Sequence, residues 1–177
     1  MPKIVISVGQ FIHRKGFDVL LRAWKNCSSD AMLYIIGGEP TDEYTRLINQ
    51  LNLTNVYFVG FKSKKELKEY YKAADLFVLP TREDIWGLVV NEAMAAGLPV
   101  ITTDRCVAGL ELIQNDFNGY IVPAGNEKAL ADKINNVLQD DKTIGEYSQN
   151  SIQAIAKYTI HNMAESHIHS LRSIRGK

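Results

Sequence analysis

Apolar positions along this chain follow two patterns that take turns. Short continuous runs, Lys3–Val8, Ala31–Ile36, Val56–Val59, Leu76–Leu79 and Val100–Thr103, with a further one over 120–122, predict strands. Several end on a glycine or proline, and most are apolar throughout with no alternation, as strands buried on both faces are. Between them lie helical spacings. Phe17, Leu20, Leu21 and Trp24 fall at i, i+3, i+4, i+7, and Tyr44, Leu47, Ile48 and Leu51 repeat that spacing. Thr41 stands at an N-cap position, and Asp42 and Glu43 suit the positive end of the helix dipole. Ser63-Lys64-Lys65-Glu66 is a capping-box pattern that predicts a helix to about residue 74. Further helices are predicted over 88–96, closed by Gly97, and over 107–114; another begins after Asn126 with Leu130, Ile134, Val137 and Leu138 on one face.

Beyond residue 144 the pattern is helix only. Ile160, Met163, Ala164, His167, Ile168 and Leu171 form one stripe with Thr159 as N-cap, and the polar stretch 139–142 reads as a loop. Strand-helix alternation with short connections predicts an α/β fold: a Rossmann-like parallel sheet of about six strands, helices on both faces, plus C-terminal helices. The expected organisation is one domain over 1–177, with a core at 3–140 and terminal helices at 143–175.

Composition narrows the function classes. At 177 residues and 46% hydrophobic, the chain can bury one sizeable core. Twenty basic residues balance twenty acidic ones, which gives no support for a nucleic-acid binder. Cys27 and Cys106 have no partner at metal-ligand spacing and read as reduced, packed thiols. No signal-peptide layout and no apolar run of membrane-spanning length are present, so a cytoplasmic protein is expected.

In open α/β sheets, ligands bind beyond the carboxyl ends of the strands, so the residues just after each strand carry the candidate chemistry. After the first strand comes Gly9-Gln10-Phe11-Ile12-His13-Arg14-Lys15-Gly16, where Lys15 stands to meet a phosphate; alone, this segment reads more plainly as a solvated basic pair. Gly37 and Gly38 allow close backbone approach to a ligand, or simply make a turn. Gly87 opens a helix whose free N–H groups favour an anion, with Asp84 before it and Glu92 on its second turn. Asp84 and Glu92 are too few and too poorly spaced for a metal cage. Helix-dipole partners and a core Trp86 explain the same residues about equally well. At Asn118-Gly119, near Thr102, Thr103 and Asp104, a turn explains most of the pattern. No Gly-x-Gly-x-x-Gly, P-loop or Gly-x-Ser-x-Gly motif is present, and His161, His167 and His169 lack an i, i+4 pair.

Taken together these segments resemble the C-terminal domain of the glycosyl transferases group 1 family, retaining enzymes of the GT-B fold. The resemblance covers roughly residues 4–138 in order. It rests on Val8-Gly9 with Lys15-Gly16-Phe17-Asp18, Gly37-Gly38-Glu39-Pro40, Val59-Gly60-Phe61, and Ala74-Asp75 running through Leu79-Pro80-Thr81. It continues with Trp86-Gly87-Leu88-Val89, Asn91-Glu92-Ala93-Met94-Ala95, Gly97-Leu98-Pro99-Val100-Ile101, and Asn118-Gly119-Tyr120 to Pro123.

The resemblance implies one half of a GT-B fold and metal-independent, retaining transfer of a hexose from a nucleotide-diphospho-sugar. It implies catalytic roles for Lys15, Asp84 and Glu92: Lys15 on the diphosphate, Asp84 in the first-acid position facing the donor sugar, Glu92 on the ribose. Donor contacts are also implied for Gly9, Gln10, Arg14, Gly37, Gly38, Phe61, Glu83, and the backbone of Gly87, Leu88 and Val89. Two departures stand out. Gln10 replaces the family's Arg, which Arg14 would compensate, and Asp84 replaces Glu, with Glu83 beside it as an alternative. No cofactor and no metal are implied. The expected partners are a UDP-, GDP- or ADP-hexose and an N-terminal acceptor domain absent from this chain, with no nucleic acid and at most a peripheral membrane contact. A nucleotide-sugar epimerase of the same fold, a phosphorylase, a non-catalytic nucleotide-binding module and a flavodoxin-like regulator are the rival readings.

Overall fold

The computed structural model describes residues 2–28 and 30–175. Six strands, β1 (Lys3–Val8), β2 (Ala31–Ile36), β3 (Val56–Val59), β4 (Leu76–Leu79), β5 (Val100–Thr103) and β6 (Gly119–Val122), form one parallel sheet in the order β3-β2-β1-β4-β5-β6. Among the described residues there are eight helices: α1 (Phe17–Trp24), α2 (Asp42–Leu51), α3 (Lys64–Ala73), α4 (Leu88–Ala95), α5 (Val107–Leu112), α6 (Glu127–Leu138), α7 (Asp141–Ile155) and α8 (Ile160–Arg175). A 3-10 turn, His13–Lys15, precedes α1 and has no signature in the sequence pattern.

Successive strand residues point to opposite faces, and each face has its own core. Val5, Leu33, Ile35, Leu76 and Val78 pack under α1, α2 and α6. Ile6, Ile36, Phe77, Leu79 and Val100 pack under α3, α4 and α5. The predicted stripe on α1 is fully committed, with Phe17, Leu20, Leu21 and Trp24 all buried.

Strand order reverses between β1 and β4, where Val5 pairs with Leu76 and Ile6 with Phe77. The connections on either side of that seam leave in opposite directions, so a crevice opens beyond Val8 and Leu79. The loop geometry depends on glycine there. Gly16 has φ +71°, and a Cβ on it would lie 2.1 Å from the Pro80 carbonyl oxygen. A Cβ on Gly37 would lie 2.0 Å from the Gly9 carbonyl oxygen, so the ends of β1 and β2 touch through bare backbone.

Three local expectations are corrected. Thr41 stands at the α2 N-cap, but its side chain caps nothing. The helix expected over 107–114 stops at Leu112, because Asn118 donates Nδ2 to the Leu112 carbonyl (2.9 Å) and accepts from the Gln114 N–H (2.8 Å). Residues 139–142 are not all loop: Asp140 accepts from Thr143 N–H at 2.9 Å and starts α7 at Asp141. The α8 stripe finds no core, since Met163, Ala164, His167, Ile168 and Leu171 are all exposed; the side chain of Ile160 lies outside the described residues. Asn126 and the Ser63–Glu66 box cap their helices as the sequence indicates. No helix among the described residues is long and apolar enough to cross a membrane.

Candidate functional site

Two loops from sequence-distant strands meet at the crevice. The loop after β1 carries Gly9 through Gly16, and the loop after β4 carries Thr81 through Gly87. They are bonded backbone to backbone, with Arg82 N–H to the Arg14 carbonyl at 2.8 Å. The Thr81 hydroxyl, fully buried, bridges the carbonyls of Arg14 (2.9 Å) and Glu83 (2.8 Å). Arg82 clamps the assembly: its guanidinium makes a bidentate pair with Asp18 (2.8 and 2.7 Å) and also reaches the His13 carbonyl at 2.8 Å. The Arg82 guanidinium holds the Asp18 carboxyl below its ordinary range even against the opposing effect of burial, the largest single influence on it. These bonds fix the 3-10 turn and aim Lys15 inward.

Lys15 and Asp84 form the centre of the crevice. Lys15 Nζ lies 2.6 Å from Asp84 Oδ2, and their side chains are 14% and 12% exposed. The aliphatic stem of Lys15 covers Gly9, where a Cβ would come within 3.3 Å of it. Asp84 is fixed through its backbone, taking part in a short parallel bridge with Cys106: Asp84 N–H bonds the Arg105 carbonyl at 2.9 Å, and Val107 N–H bonds the Asp84 carbonyl at 3.2 Å. Gly87 sits over the Cys106 thiol, at φ +88°, where a Cβ would press to 2.8 Å from the sulfur. Burial pushes that thiol's pKa up, and it serves as packing, as does Cys27, pushed up to about 12 for the same reason.

Gly87 is the N-cap of α4, and no side chain caps this end. The first N–H groups of the helix and its positive dipole end therefore face the crevice mouth, beside Leu88, which is exposed, and Val89, which is half-buried. Trp86 is half-buried, its indole N–H bonding Asn91 Oδ1 at 2.9 Å, so it braces the first turn of the helix.

The remaining candidates separate into near and far. Arg14 is exposed, its guanidinium donating to the Glu83 carbonyl oxygen at 3.1 Å. Glu83 and Gln10 are exposed on the rim. Gly38 borders open space. Phe61 is 84% exposed at the far end of β3. Glu92 lies about 7.5 Å along α4 from Gly87 at a helical rise of about 1.5 Å per residue. It opens into a groove of about 570 Å³ between α3 and α4, with Lys64, Leu67, Lys68 and Ala95 among its walls.

Thr81, Arg82 and Tyr71 take positions at the site that the sequence pattern did not assign to them. The Tyr71 hydroxyl bonds Glu92 Oε2 at 3.0 Å. A signal for Tyr71 was present, since Lys64, Leu67, Lys68 and Tyr71 share one face of α3 at i, i+3, i+4, i+7. Arg82 and Asp18, far apart in sequence, had none. At the fourth candidate place the turn reading holds: Asn118 seals the end of α5, while Thr102 and Thr103 hydroxyls bond the carbonyls of Leu79 (3.0 Å) and Thr81 (2.6 Å).

Residues 1–157 match the family described as Glycosyl transferases group 1, and the chain belongs to that family. It is 36% identical to an uncharacterised glycosyltransferase of Methanocaldococcus jannaschii over 143 residues, covering 78% of this chain and 36% of that protein. Sucrose-phosphate synthase of Thermosynechococcus elongatus superposes with a TM-score of 0.88 at 29% identity, covering 99% of this chain and 46% of that one. Anabaena HepE in complex with UDP-glucose has the same fold, with a TM-score of 0.86 at 23% identity over 96% of this chain and 48% of that one. The chain thus spans less than half the length of these relatives. Its fold is that of one Rossmann-like half of a GT-B glycosyltransferase.

Proposed function

We propose that this chain is the donor-binding half of a retaining, metal-independent glycosyltransferase that takes a hexose from a nucleotide-diphospho-sugar. The observation that carries the reading is the meeting of Lys15 and the uncapped α4 N-terminus at one crevice, with Asp84 between them. In this reading the diphosphate lies against the N–H groups of Leu88 and Val89 and against Lys15. Asp84 faces the donor sugar, and Glu92, one and a half turns further on, takes the ribose hydroxyls. As the bond from sugar to diphosphate breaks, negative charge grows on the departing phosphate oxygens. Lys15 and the helix dipole are already in place to stabilise it, the service a divalent metal performs in other transferases. The UDP-glucose in the HepE structure supports a nucleotide sugar as the ligand class. Residues 1–177 act as one binding unit around the 3–140 core, and acceptor contacts come from a second domain. This chain alone is therefore expected to bind nucleoside diphosphates and to transfer no sugar; measurable turnover by it would overturn that division of labour.

Titration of UDP, GDP, ADP and inorganic pyrophosphate tests the site. Lys15→Ala is expected to weaken all bound species about ten- to a hundredfold, because it removes a charge-assisted contact and leaves Asp84 unpaired beside the phosphates. Arg14→Ala is expected to weaken them less than about threefold, because that guanidinium rests on the exposed Glu83 carbonyl. Equal losses from the two variants would move the phosphate site away from Lys15.

A further inference from the structure

The Tyr71–Glu92 contact joins two helices that cover the same face of the sheet and wall one groove. Tyr71 ends the groove-facing stripe of α3 and is buried, 4% exposed, its ring 5.9 Å from that of Phe77. Glu92 is on α4 and exposed, bordering the groove. An exposed glutamate on a helix ordinarily samples several rotamers. Here a phenol that cannot move, because the core holds its ring, donates to one carboxylate oxygen at 3.0 Å. Burial first and the nearby carboxylate second push the phenol's pKa up, so it stays a proton donor across the working pH range.

We infer that Tyr71 is a positioning residue for nucleotide binding: its hydroxyl anchors Glu92 Oε2 and presents the carboxylate to the ribose in the α3–α4 groove. The inference rests on the ribose role proposed above for Glu92. Holding a flexible carboxylate in its bound geometry removes an ordering cost from binding, and occupying one oxygen leaves the other to accept from the ribose. Tyr71 touches no ligand atom in this scheme. Its effect passes entirely through Glu92.

The test uses the full chain and whichever of UDP, GDP and ADP binds wild type most tightly, with inorganic pyrophosphate as the probe that lacks a ribose. Tyr71→Phe keeps the ring on Phe77 and removes only the donor. It is expected to weaken nucleoside diphosphate binding about three- to tenfold and to leave pyrophosphate binding unchanged. Glu92→Gln is expected to weaken the nucleotide about ten- to a hundredfold, again sparing pyrophosphate. The double variant should bind no worse than Glu92→Gln alone, since the carboxylate that Tyr71 presents to the ribose is already gone. Three results overturn the inference. If Glu92→Gln weakens the nucleotide and Tyr71→Phe does not, the ribose role stands and the positioning role falls. If Tyr71→Phe weakens pyrophosphate equally, or if the two losses multiply in the double variant, Tyr71 acts on the site as a whole. If neither variant affects nucleotide binding, or none of the three nucleotides binds wild type, the ribose reading falls along with it.

Discussion

Gly16→Ala is expected to lower stability by about 3 kcal/mol and to abolish diphosphate binding in whatever fraction still folds. Gly16 is at once the αL cap of the 3-10 turn and the N-cap of α1, at φ +71°. An L side chain there is strained before any contact is counted. Its Cβ would also lie 2.1 Å from the Pro80 carbonyl oxygen, a backbone atom at the end of β4 that cannot swing aside. Relief requires the β1 and β4 loops to part, and those loops hold Lys15 and Asp84 together. Packing at the seam and geometry of the site are therefore lost as one. For a domain of this size the expected fall in melting temperature is roughly 6–12 °C, read by calorimetry or circular dichroism. Gly38→Ala serves as the control. It too replaces a glycine at positive φ, 135°, but nothing lies within 4 Å of its added Cβ. A melting temperature for Gly16→Ala no lower than that of Gly38→Ala would show that the two loops are not locked through bare backbone.

Residues such as Gly16 explain how far the sequence could be read. The central strands were legible because burial on both faces demands continuous apolar runs, and Leu76–Leu79 is fully buried as that run implies, whereas the edge strand β3 carries such a run with no buried residue. Helix stripes were legible because core contact repeats every three or four residues. Signals of this kind are local. The capping box at Ser63 succeeded because both partners lie within one turn, and the part Asn118 plays in ending α5 was not legible because Asn118 acts from outside the helix. The candidate site followed the same rule. Glycines and acids after the strands could be named from their positions, together with the sheet's preference for ligands at its carboxyl edge. What aligns them could not. Arg82 with Asp18, Thr81 with Arg14, and Tyr71 with Glu92 are pairs created by the order of strands in the sheet. Gln10 is expected to cost the site a charge that Arg14 would restore; Arg14 lies exposed on the same rim, its guanidinium donating to the Glu83 carbonyl. The α8 stripe shows the opposite failure, a periodic signal that predicts a helix and names no surface for it to cover.

Asp84→Asn is expected to tighten binding of inorganic pyrophosphate about tenfold, although Asp84 belongs to the proposed catalytic set. In this structure Lys15 Nζ and Asp84 Oδ2 are 2.6 Å apart with little solvent around them. The ammonium that should receive a diphosphate is thus already neutralised. An incoming diphosphate must displace the carboxylate from Lys15 and then sit a few ångströms from it as a like charge. At an effective dielectric near 20 that repulsion is on the order of 2–3 kcal/mol before screening, and about half of it is expected to remain. Asparagine keeps the shape and an acceptor oxygen for Lys15 while removing the charge. The donor sugar of a nucleotide sugar offers hydroxyls to the carboxylate, which offset the displacement; bare pyrophosphate has no hydroxyl, and the ribose hydroxyls of a nucleoside diphosphate go to Glu92 in this reading. Asp84→Asn should therefore favour the species without sugar. Measured by titration calorimetry, the affinity ratio of UDP-glucose to UDP should fall about tenfold or more, with UDP itself bound more tightly. The melting temperature should drop modestly, since a partly buried lysine loses its charged partner, and pyrophosphate should restore it. Weaker binding of pyrophosphate by Asp84→Asn than by wild type would mean that Asp84 helps Lys15 hold phosphate by positioning it, and the idea of a carboxylate competing for that lysine would be wrong.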